Sequence, residues 1–155
     1  MLQKTYYIFL LFVFISLHGQ GQSGIKQQNK LYGVFDGRTP CNVLSEYLNE
    51  HPHPECFKIK WRLTLFVDSI TGKPTSYELI GLTYKREKPR VGNWQILEGT
   101  HADTEAIVFE LSETSRPPLL LQKGDDNILF FLDKDRKLLV GNRDFSYTLN
   151  RKPGT

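Results

Sequence analysis

Among 155 residues there are only two cysteines, four histidines and one methionine. No nucleophile-elbow serine occurs, no glycine loop that could cradle a phosphate, and no His-Glu-x-x-His helix. Without such a constellation nothing in the chain supports catalysis. Charge of one sign is lacking too: 20 basic residues face 17 acidic ones, and the densest basic group, Lys85-Arg86-Glu87-Lys88, contains an acid. With no basic stripe interleaved with aromatics, nucleic acid is excluded as an expected partner. Long apolar runs are equally scarce. The one that exists, Tyr6 to Leu17, is twelve residues long, whereas a helix crossing the bilayer core needs about 20.

That single apolar run has the length and setting of an export signal. Lys4 precedes it, no other charge occurs before Lys26, and Gly19 and Gly21 supply small residues at alternate positions just after it. Residues 1–21 are therefore expected to be a cleaved signal peptide, and the mature protein to be secreted or periplasmic and soluble, with no further membrane span. The first cysteine is Cys41, too far along to be lipidated, so no lipid anchor is expected. Removing Lys4 from the 20 basic residues leaves 19 against 17 acids, a mature net charge of +2. The 134 residues that remain suffice for one domain with its own core.

Both cysteines fall in the exported part. In an oxidising compartment an even pair is most simply a disulfide. Cys41 and Cys56 would close a loop with fourteen residues between them, for which chain entropy gives about 3 kcal/mol. Free thiols binding a metal are the rival reading.

Residues 22–30 are polar and aperiodic and are expected to form a flexible leader to a domain over 31–150. A first strand is expected from Leu31 to Phe35, closed by Asp36-Gly37. One helix follows, with Thr39 as N-cap, Pro40 in the first turn, and Val43, Leu44, Tyr47 and Leu48 on one apolar face. His51-Pro52-His53-Pro54 cannot continue it. Beyond Cys56 the period changes to two. Phe57, Ile59, Trp61, Leu63, Leu65 and Val67 alternate with mostly charged or polar residues, which predicts a long strand between core and water, its apolar face inward.

Further strands are expected at Ser76 to about Tyr84 (with a bulge or bend at Gly81), Trp94–Leu97, Ala106–Leu111, Leu119–Gln122, Ile128–Leu132, Leu138–Val140 and Asp144–Asn150. Turn residues separate them, among them Arg116-Pro117-Pro118 and Asp133 to Arg136. Many short strands with local connections and one helix predict an all-β fold, a small antiparallel barrel rather than a sandwich.

Two sets of residues are candidate sites. His51, His53, Cys56 and Cys41 cluster around the Pro-rich loop. Histidines two apart on an extended segment project to one side, and with thiolates they would suit copper or zinc. Oxidation of the cysteines would remove that donor set. Trp61, Trp94, Phe109 and Phe130, with other aromatics, either line a cavity for a small apolar ligand or fill a solid core; barrels of about eight strands can do either. Asp125, Asp126, Asp133 and Asp135 read as turn residues rather than as a calcium loop.

Leu31-Tyr-Gly-Val-Phe-Asp-Gly-Arg-Thr-Pro-Cys41, a second cysteine before the long strand, Gly92-Asn93-Trp94 and Leu132-Asp133 together resemble the N-terminal domain of the NlpE copper-resistance proteins. The resemblance spans most of residues 31–140. It implies a lipocalin-like barrel in the cell envelope, connected with adhesion sensing and envelope stress, and with copper. This chain departs from that family in two places. The family's close Cys-x-x-Cys pair is replaced by the widely separated Cys41 and Cys56, and its lipid-attachment cysteine is missing. The functional expectation is an exported, non-enzymatic binding or stress-sensing barrel, with an envelope protein or a small apolar ligand as partner. Copper or zinc binding and apolar-ligand carriage are the alternatives.

Overall fold

In β2, Ile59–Asp68, every second side chain is buried: Ile59, Trp61, Leu63, Leu65 and Val67 point inward, while Lys60 and Arg62 are exposed. A strand with one apolar and one polar face must lay the apolar one on other apolar faces, and here the sheet curls until it meets itself. The computed structural model describes residues 28–41, 43–44, 55–82, 88–114 and 116–155. Among them are β1 (Asn29–Thr39), β3 (Pro74–Leu82), β4 (Arg90–Glu98), β5 (Ile107–Glu113), β6 (Arg116–Lys123), β7 (Ile128–Leu132) and β8 (Thr148–Arg151). Each pairs antiparallel with the next, and β8 pairs with β1, so the eight strands form a closed up-and-down barrel. The expected all-β antiparallel barrel is what the chain adopts.

The interior is one continuous apolar cluster. Phe35, Leu63, Leu65, Tyr77, Leu79, Trp94, Phe109, Leu111, Leu119, Leu121, Leu129, Phe131, Tyr147 and Leu149 all belong to it. Cys41 and Leu44, which follow β1, are buried in the same cluster, so these side chains plug one end. Tyr147 fixes the plug through a hydrogen bond with the backbone of Val43, and burial raises the pKa of its hydroxyl. The opposite end is held by Arg151. Its guanidinium lies over the rings of Phe35 (4.7 Å) and Tyr32 (5.2 Å) and donates to the carbonyls of Tyr32 and Asp126. Gly33 makes room for it: a Cβ there would sit 2.1 Å from Arg151 Nη1. A second, smaller cluster of Val108, Leu120 and Leu132, with Leu97 against it, occupies the other face of β4–β7. Arg136 ties the β7–β8 connection to the carbonyls of Glu98 and Gly99.

Several expectations change in the structure. The first strand does not stop at Asp36-Gly37 but runs on to Thr39, and Asn29 and Lys30, read as leader, belong to it. Asp36 is held in the strand by a cross-strand ion pair with Arg62. Gly37 is there because a Cβ would lie 2.4 Å from the Thr148 carbonyl of β8. Thr39 is not a helix cap: it is buried at the end of β1, where its hydroxyl accepts from the Trp61 indole. Of the expected helix, Val43 and Leu44 are helical, whereas Tyr47 and Leu48 lie outside the described residues. Phe57 is 63% exposed and precedes β2, so it leaves the inward-facing set. Gly81 is in register opposite Trp61, and a Cβ there would lie 2.7 Å from the indole; the irregularity between β2 and β3 falls instead between Leu65 and Val67. Arg116-Pro117-Pro118 is strand, not turn. β7 extends along β6 only to the Leu120–Leu132 pair, so no donor is needed from the prolines on that side. Leu138–Val140 makes a single bridge, Leu132 to Leu138, and Val140 is 88% exposed.

Candidate functional site

Cys41 and Cys56 are joined in a disulfide, with their Cα atoms 6.0 Å apart. The bond anchors the β1–β2 connection, with Cys41 in the core and Cys56 packed against it. His51 and His53 lie outside the described residues. A cysteine ligates copper or zinc as a free, deprotonated thiolate, and here both sulfurs are spent on each other. Among the described residues no group of three or more His, Cys, Asp or Glu side chains could hold a metal ion. The donor set does not fit copper or zinc while the bond is intact.

The aromatic candidates separate into two groups. Trp94 packs on Phe109 (centroids 4.9 Å) and Tyr32 (5.3 Å), and Trp61 packs on Phe131 (5.6 Å). Both indoles have their N–H satisfied, Trp61 by Thr39 Oγ1 at 2.8 Å and Trp94 by the Phe66 carbonyl at 2.7 Å. Trp61, Trp94 and Phe109 are thus core side chains with fixed partners. Phe130 is only partly buried, and it alternates with the inward Leu129 and Phe131, so it points to the other face of β7.

Open space lies on the outside of the barrel. A groove of about 800 Å³ crosses β8, β1, β2 and β3, lined by Asp36, Arg38, Lys60, Arg62, Thr148 and Asn150, with Ile80 and Pro89 among its apolar members. Register explains its pattern. One row across the sheet runs Asn150, Asp36, Arg62 and Ile80. There Asp36 accepts two hydrogen bonds from Arg62, Nε to Oδ1 and Nη2 to Oδ2, both 2.8 Å. In the next row Arg38 is opposite Lys60, two like charges on neighbouring strands, an arrangement that destabilises a sheet. Among the described residues neither has an acidic partner. Ser146 and Thr148, hydroxyl to hydroxyl at 2.6 Å, form the rim beside them.

The chain matches no family model, no curated protein and no solved structure.

The ion pair with Arg62 holds the Asp36 carboxyl below the usual carboxylate range. A carboxylate whose pKa is lowered on folding adds stability above its unfolded value and loses it as pH falls through the folded value. Asp36 and Arg62 are 41% and 51% exposed, so solvent screens the pair. Asp36→Asn is therefore expected to cost only about 0.2–1 kcal/mol at neutral pH and low salt. The difference from the parent should shrink as pH falls below the unfolded carboxylate range and through the lowered folded value, as measured by urea denaturation across pH.

Elsewhere, Glu113 is held by the guanidinium groups of Arg90 and Arg116, while Arg90 Nε and Nη1 are buried without a partner. A carboxylate shared by two guanidinium groups ties β4, β5 and β6 together.

From the sequence alone, the charged face of β2 reads only as the solvent side. That Arg38 lies opposite Lys60 depends on the β1–β2 register, which continues through Asp36-Gly37, residues that read as a turn.

Proposed function

We propose that the protein is an exported β-barrel of the cell envelope, secreted or periplasmic once its leader is removed, that binds or senses another molecule rather than catalysing a reaction. One observation carries this reading: the core aromatics pack on one another, while a groove whose Arg38 and Lys60 have no acidic partner among the described residues lies on the outer face. An interior occupied by its own side chains favours recognition at the outer surface over carriage of a ligand inside. The spent sulfurs of Cys41 and Cys56 argue against copper or zinc. The NlpE-like residues in β1, at Gly92-Asn93-Trp94 and at Leu132-Asp133 point to the same compartment and the same sensing role.

The test is to express the full chain in an exporting bacterium with a photo-crosslinking residue at Lys60, and with a control at Lys134 in the exposed turn after β7. The mature protein is expected to begin between Gly19 and Ser23, to carry no lipid and to leave the cytoplasm. Mass spectrometry should show an adduct, protein or small molecule, at position 60 and none at position 134. Intact Met1 in a membrane fraction would overturn the export reading. Absence of any adduct from groove positions would overturn binding at this face.

A further inference from the structure

The two rows of the groove differ in one respect that folding alone does not explain. Asp36 and Arg62 are matched and doubly hydrogen-bonded, yet one step along the same strands Arg38 and Lys60 stand opposite each other, both exposed. Lys152 lies close enough to Asp36 for its charge to be felt there, so positive charge surrounds the one acid that lines the groove among the described residues. Hydroxyls of Ser146 and Thr148 and the amide of Asn150 border the cations on one side, and Ile80 and Pro89 offer apolar contact on the other. Ligand pockets of about 300–1,000 Å³ with a few convergent polar groups on an otherwise apolar wall are typical of small-molecule sites. A guanidinium and an ammonium that face each other repel in the free protein, and an anion between them turns that repulsion into two charge-assisted hydrogen bonds.

We infer that this groove is a binding site for a small organic anion, its phosphate or carboxylate head between Arg38 and Lys60 and its apolar body against Ile80 and Pro89. The inference rests on the reading of the outer face as the recognition surface and adds the ligand class to it. It also explains the placement of like charges: the pair is kept for the ligand at some expense to the free fold.

Three probes distinguish the head group and the body: phenyl phosphate, benzoate and inorganic phosphate, each titrated into the mature, disulfide-bonded protein by calorimetry and followed by amide chemical shifts. Phenyl phosphate or benzoate is expected to bind, with shifts at Arg38, Lys60 and Thr148 and with affinity falling as salt rises. Whichever binds more tightly identifies the head group. Inorganic phosphate should bind more weakly than phenyl phosphate, because it leaves Ile80 and Pro89 uncovered. Arg38→Gln and Lys60→Gln should each weaken binding by about tenfold or more, while Lys134→Gln leaves it unchanged. In the free protein Lys60→Gln should unfold at the same or a higher denaturant concentration than the parent, since it removes a like-charge contact.

Three results would overturn the inference: no binding of either organic anion at millimolar concentration, binding unaffected by the two substitutions, or a Lys60→Gln protein less stable than the parent. A protein adduct at position 60 without anion binding would remove the ligand class proposed here and leave the binding-module reading standing. Failure of both experiments would remove both.

Discussion

Trp61→Ala is expected to cost about 3–5 kcal/mol of folding stability, the range for deleting a large aromatic from a packed core. The indole rests on Phe131 with centroids 5.6 Å apart, fills the space left by Gly81 on the next strand, and donates its N–H to Thr39 Oγ1 at 2.8 Å in a buried hydrogen bond. Truncation therefore opens a void and removes the hydrogen bond at once. Urea denaturation of the mature protein at neutral pH measures the loss. A loss below about 1.5 kcal/mol, the low end for withdrawing a large apolar side chain from burial, would mean that the surroundings of Trp61 are loose enough to admit a ligand. The barrel would then have to be read as a carrier, and apolar dyes should compete for the space.

The second large effect is at the disulfide. Cys41 and Cys56 are 15 positions apart, and opening a loop of that length is expected to cost about 3 kcal/mol. The Cys41→Ala, Cys56→Ala double variant suits the test because alanine adds no hydroxyl to the core site of Cys41. The parent in reductant should fall to the stability of the variant, and the variant should ignore reductant. A parent indifferent to reductant would mean that the thiols are free, and would return the copper or zinc reading with His51 and His53 to consideration.

How far the sequence reveals this molecule depends on where each residue's constraint comes from. The alternation through Ile59, Trp61, Leu63, Leu65 and Val67 is a local signal, since one side of a strand faces core and the other water, and it is legible without knowing any partner. Phe57 continues the alternation on paper but belongs to the segment leading away from the anchored Cys56, where it meets Phe145 edge-on at 5.2 Å instead of the core. Asp36-Gly37 has turn composition, yet its meaning is set from outside: Arg62 on one neighbouring strand and the Thr148 carbonyl on the other hold it extended. Leu138–Val140 has strand composition but continues beyond a tight turn at Asp133, where one bridge to Leu132 is all the pairing it makes. The groove was less legible still. Its members come from four strands and two connections, and only register reveals that Arg38 meets Lys60 rather than an acid.

The pairing of β1 with β8 has a consequence for how the chain can be made. Asp36 lies opposite Asn150, so β1 is made well before the residues of β8 that close on it. Until those residues emerge, a nascent chain with seven strands formed would present two raw sheet edges, one along β1 and one along β7, each able to recruit a strand from another molecule. Closure also joins segments separated by nearly the whole domain, the slowest kind of contact to find. Residues 151–155 then act as a latch: Arg151 enters beneath Gly33, Lys152 donates to the Val34 carbonyl, and Val34 donates to the Thr155 hydroxyl. A chain cut short before β8 would keep nearly all of its core residues and still lack the seam that makes the cylinder continuous.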